Sequence, residues 1–122
     1  MKERDGIMTI KEFYERTSGN YQEALGRMMK DALVQRFALK FLNDKSYAEL
    51  EENLDSGNTE LAFRAAHTLK GVCRNLAFTR LANSASEITE MLRAGDIDTA
   101  KLYFPKVQSD YKVLVKAISE IN

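Results

Sequence analysis

His67 is the only histidine in this chain, and its neighbours decide whether it can do chemistry. The stretch Ala65 to Arg74 reads A-A-H-T-L-K-G-V-C-R, with Lys70 three residues and Gly71 four residues after the imidazole. A neutral imidazole is a nitrogen nucleophile near pH 7. An ammonium group is a counter-charge for an anion held beside it, and a glycine leaves the backbone open to another molecule. On a helix, residues three and four apart are neighbours, so these groups would stand together. Phe63, one turn before His67, adds an aromatic surface of the kind that docks a partner.

The apolar spacing predicts the helix that would hold them. Leu61, Ala65, Leu69, Val72 and Leu76 recur at the helical period through one continuous segment, Asn58 to Leu76. At about 100° per residue these five positions span an arc of roughly 80°, and His67 lies roughly 160° from its centre. A histidine on that face is not part of the core; it is either surface decoration or an exposed nucleophile. Gly71 favours the nucleophile. A glycine inside a helix costs about 1 kcal/mol relative to alanine, and this one sits on the His67 face, where helix packing does not account for it.

The run A-H-T-L-K-G followed by R-N-L-A-F-T-R-L-A resembles the signature of histidine-containing phosphotransfer (HPt) domains, the shuttles of multistep phosphorelays. An upstream helical pair, the histidine helix, a second amphipathic helix and a long last helix extend the resemblance over nearly the whole chain. Ala77 departs from it, because many members carry glycine at the end of the histidine helix. The resemblance implies that His67 is the phospho-acceptor, through its outward-facing nitrogen. It implies that Lys70 steadies the phosphoryl oxygens and that Gly71 admits the partner. The implied partner is a response-regulator receiver domain, a hybrid histidine kinase or both. The receiver would supply the aspartate and Mg²⁺, with no cofactor bound by this chain. Matched through the motif, the pattern also brings Thr89 and Arg93 of the next helix alongside His67, for a hydrogen bond or docking electrostatics. Phe63, Arg64, Arg74 and Phe78 complete the candidate interface, with Phe78 alternatively folded onto the core.

Composition bounds the alternatives. The 122 residues are 44% hydrophobic and 30% charged, with 18 acidic and 18 basic side chains, which is a globular balance for one domain. Zero net charge without a basic run argues against nucleic acid. One cysteine forms no internal disulfide, and Cys73 reads as half-buried packing. Met1 to Ile10 has no apolar centre and does not read as a signal peptide. No apolar run approaches the length of a membrane span, so the expected location is the cytoplasm. One histidine and one cysteine six residues apart make no metal-ligand set. A catalytic triad and a phosphate-cradling glycine loop are also absent, which argues against a stand-alone enzyme; a phosphoryl carrier is what the resemblance implies. The rival is a helical adaptor that binds receiver or kinase domains without carrying phosphate. A free monomeric shuttle is expected, with a fragment of a hybrid kinase as the alternative.

The remaining pattern predicts an all-α protein, a four-helix up-down bundle with one or two short N-terminal helices, forming one domain over 1–122 with its core bundle from about 31 to 121. Helices are expected at Ile10–Arg16, Tyr21–Met29, Asp31–Leu42 (Leu33, Val34, Phe37 and Phe41 inward) and Tyr47–Leu54, the last capped by Ser46 with Glu49 in capping-box register. Thr79–Arg93 carries the stripe Leu81, Ala85, Ile88 and Leu92. The final segment, from Asp96 to about Ile121, presents Leu102, Val107, Tyr111, Leu114 and Ile118, with a kink or a new helix expected at Pro105. Ser18-Gly19-Asn20, Ser56-Gly57-Asn58 and Ala94-Gly95-Asp96 read as turns pairing a left-handed glycine with the next N-cap.

Overall fold

The computed structural model describes residues 7–121. The stretch Met1 to Gly6, part of the segment judged above not to be a signal peptide, lies outside the described residues. The fold is all-α. The helices are α1 (Ile10–Arg16), α2 (Tyr21–Met28), α3 (Asp31–Lys40), α4 (Ser46–Asp55), α5 (Thr59–Asn75), α6 (Thr79–Arg93) and α7 (Ile97–Ile118), with a 3₁₀ turn at Phe41–Asn43. Helix α5 packs against α4 on one side and α6 on the other; α7 lies against α6 and returns to α4. Three helices and the 3₁₀ turn precede α4, where helices at Ile10–Arg16, Tyr21–Met29 and Asp31–Leu42 were expected. Residue 8 meets residue 121 in an isolated parallel bridge, tying the start of the described chain to its end.

Local chemistry explains most boundaries. Thr9 and Glu12 form a reciprocal capping box at α1, and Asn20, Asn58 and Asp96 cap α2, α5 and α7 through their side chains. Ser46 does not cap α4: it is the first helical residue, and its backbone N–H and hydroxyl both donate to the Asp44 carboxylate. Asp44 wins because its ionised oxygens are stronger acceptors than a serine hydroxyl. Helix α7 runs through Pro105 without starting anew. Pro105 stands on the exposed side, where a missing hydrogen-bond donor costs least.

The left-handed residue in the first turn is Ser18, with φ 60°, and not Gly19. Gly19 is needed for space: a Cβ there would stand 2.9 Å from both the Ala77 carbonyl oxygen and the Tyr14 ring. That close approach belongs to a larger contact. At the end of α5, Arg27 donates to the carbonyls of Arg74 and Asn75, the Tyr14 hydroxyl donates to Leu76 O at 2.7 Å, and Asn20 N–H donates to Ala77 O at 3.0 Å. The last carbonyls of a helix have no partner within it. Here residues from α1, α2 and the turn between them supply partners for four successive ones.

Tyr14 is fully buried, and burial pushes its phenol pKa up. Tyr14→Phe keeps the ring and strands the Leu76 carbonyl away from water, so it should cost about 1–3 kcal/mol of stability. Urea unfolding followed by circular dichroism measures the difference; a loss below about 0.5 kcal/mol would show that the carbonyl finds another partner.

Several inward-facing assignments change. Leu61 is 45% exposed and Val72 only half-buried, while Ala62, Ala66 and Cys73 join Ala65 and Leu69 in the core. The buried arc of α5 is thus turned toward α6. Weighting leucine and valine over alanine misplaced it, because alanines mark where helices approach closely. On α3, Val34 and Ala38 are buried, whereas Phe37 is 38% exposed and Leu33 half-buried. Leu102 is 83% exposed. The α6 stripe Leu81, Ala85, Ile88 and Leu92 is buried as expected.

Candidate functional site

Helix α5 begins where the Asn58 side chain accepts from Leu61 N–H, and it ends in a left-handed turn at Ala77, φ 58°. There Phe78 N–H bonds Cys73 O at 2.9 Å and Ala77 N–H bonds Arg74 O at 3.1 Å, a Schellman closure with alanine in glycine's usual place. Seventeen helical residues lie between these ends.

His67 lies outside the buried arc and is exposed, as its place on the wheel predicts. Side chains on a helix lean toward its N-terminus, which carries the imidazole back over Phe63. The two rings stack with centroids 5.9 Å apart and planes at 15°. On the other side of His67, a Cβ placed on Gly71 would meet nothing within 4 Å. One side of the imidazole is therefore supported by an aromatic ring and the other opens onto bare backbone. Phe63 is half-buried against the core and also lies under the Arg93 guanidinium, whose carbon stands 5.0 Å from the ring centroid.

Charge around the site is mostly positive. Lys70 is half-buried and Arg74 exposed; among the described residues neither is paired with a carboxylate. Arg64 pairs with Glu60 at 2.7 Å, and Arg93 with Glu90 at 3.1 Å. Both pairs are solvent-exposed and hold their side chains weakly. Lys70 lies about one turn and Arg74 about two turns from His67 along α5.

Two candidate residues do not belong to this surface. Thr89 is fully buried and its hydroxyl donates to Ala85 O at 2.6 Å, so it faces the core and its hydrogen bond is already made. A threonine inside a helix can bond the carbonyl four residues earlier, which lets it pass for an apolar residue. Phe78, 2% exposed, is folded onto the core, the second of the two expectations for it. Sequence reading passed over a groove between α4 and α5, lined by Glu52, Leu61, Arg64 and Thr68 among others. Its one signal was a leucine on the margin of the assumed stripe. Cys73 is fully buried rather than half-buried, and burial pushes its thiol pKa up, away from a reactive thiolate.

The Hpt domain family model matches residues 43–117, more than half of the chain, and the match includes His67, Lys70 and Gly71. Neither the curated proteins nor the solved structures yield a match.

Proposed function

The chain belongs to the Hpt domain family, and from that premise we propose that His67 is its phospho-acceptor, exchanging a phosphoryl group with the aspartate of a response-regulator receiver domain. Hpt domains carry phosphoryl groups on histidine within the phosphorelays of two-component signalling. The observation that supports His67 is its place: the only histidine in the sequence lies inside the matched segment, exposed, with one flank free.

The unprotonated ring nitrogen attacks the phosphorus of an aspartyl phosphate. A nitrogen–phosphorus bond forms as the phosphorus–oxygen bond breaks, and the bonding pair leaves with the aspartate carboxylate. The other ring nitrogen keeps its proton, which it can then lose to water. The reverse sequence returns the phosphoryl group to an aspartate. Such transfer is chiefly positioning and charge stabilisation. In this reading the receiver domain holds the Mg²⁺, Lys70 places one positive charge near the phosphoryl oxygens, and Arg64, Arg74 and the α4–α5 groove meet the partner surface. A hybrid histidine kinase fits the same surface through its own receiver domain.

The test is incubation of the purified chain with a phosphorylated receiver domain and Mg²⁺. The expected product carries an acid-labile, base-stable phosphoryl group that maps to His67. Complex formation without label, across a panel of receivers, would make the chain a phosphate-free adaptor instead.

Gly71 offers a second check. A Cβ at Gly71 meets nothing within 4 Å, so Gly71→Gln should raise helix stability by about 0.5 kcal/mol. The longer side chain fills the open flank of the imidazole, so transfer from the receiver should slow by about tenfold or more. Stability and transfer rate moving in opposite directions would separate access from folding; an unchanged rate would remove Gly71 from the site.

A further inference from the structure

The contact between Phe63 and His67 is more than two neighbouring side chains on one helix. Phe63 is fixed from two directions: it packs against the core below, and the Arg93 guanidinium covers its ring at 5.0 Å. Within α6 the Arg93 Nε also donates to both Glu90 carboxylate oxygens, at 3.1 and 3.3 Å. The imidazole lies nearly parallel to this ring, with 15° between the two planes. A second helix thus reaches His67 through two aromatic contacts in series.

We propose that Phe63 is a positioning residue for His67, fixing the imidazole's orientation, and that Arg93 holds Phe63 in place. This rests on the phosphotransfer reading above. A fully solvated imidazole samples several staggered wells about its first side-chain torsion and turns broadly about the second. Only one such orientation aims a given ring nitrogen along the line of attack. Stacking on Phe63 restrains the plane of the ring before a partner arrives, and pre-alignment of reacting groups is a large part of what a protein contributes to transfer. Gly71 keeps the opposite side clear, so alignment does not close the route of approach. Phe63 does not touch the phosphoryl group in this scheme; it acts through the imidazole.

The test compares wild type with Phe63→Leu, Phe63→Tyr and Arg93→Gln. In the unphosphorylated protein, the proton signals of the His67 ring should shift toward free-imidazole values in Phe63→Leu and remain near wild type in Phe63→Tyr. Transfer measured against receiver concentration should show the saturating rate falling about three- to tenfold in Phe63→Leu, with little change in the half-saturating concentration. Arg93→Gln, a surface change that leaves the core intact, should give a smaller loss of the same kind, and Phe63→Tyr should recover the rate. Unshifted ring signals in Phe63→Leu would overturn the proposal. A loss confined to the half-saturating concentration would do so as well, by making Phe63 a docking residue. If no receiver labels wild type, the phosphotransfer reading fails, while the ring signals still decide whether Phe63 orients His67.

Discussion

Replacing His67 by glutamine should reduce phosphoryl acceptance to background and leave the fold intact. The amide nitrogen of glutamine has its lone pair delocalised into the carbonyl and does not attack phosphorus, and no second histidine exists to substitute for it. The exposed position makes the change cheap for folding, because surface substitutions away from special features usually stay within about 0.5 kcal/mol. Glutamine is also a better helix former than histidine. Labelling by a phosphorylated receiver, run beside a thermal melt, checks both halves. A labelled His67→Gln protein would move the acceptor elsewhere. A variant that unfolds would show that the stack on Phe63 contributes far more to stability than an exposed ring pair should.

The second large effect is on stability and comes from Phe78. This residue precedes α6 and is almost completely buried, with ring centroids 5.7 Å from Phe13, 5.7 Å from Tyr14 and 5.3 Å from Phe41. It joins the N-terminal helices to the α5–α6 turn. Edge-to-face and tilted pairs of this kind add to the area each ring buries, and a truncated aromatic leaves a cavity that close-packed neighbours fill poorly. Phe78→Ala should cost about 3–5 kcal/mol. Since domains are stable by only about 5–15 kcal/mol, this is a large share of the total. The melting temperature should fall by about 10 °C or more. A loss under about 1 kcal/mol with weakened receiver binding would return Phe78 to the interface.

The helices were legible where periodicity is strong and ends are marked by side chains. Thr79–Arg93 was read to the residue, and the histidine helix to within its caps. Faces were less legible. Leu61 and Leu102 are apolar residues at helical spacing, yet helix packing leaves both exposed, while small alanines occupy the close contacts. Of the candidate site, Arg64, His67, Gly71 and Arg74 lie exposed on the face that the wheel placed away from the core, and Phe63 and Lys70 lie half-buried at its edge. Thr89 was misjudged because its hydroxyl is satisfied within its own helix, a local bond that hydropathy does not register. The stack of Arg93, Phe63 and His67 spans two helices and needed their relative placement. Pairings such as that of Tyr14 with Leu76, 62 residues apart, leave no periodic trace.

The family match begins at residue 43, whereas the partners for the final carbonyls of α5 come from residues 14 to 27. The recognisable segment and the self-sufficient segment are therefore different lengths. A piece excised at the family boundary would keep the imidazole, the lysine and the glycine but lose the clasp on the turn leading into α6. Its histidine helix should fray from that end. Grafting this site into another protein should therefore carry the N-terminal helices along: the portable unit is larger than the one a signature reveals.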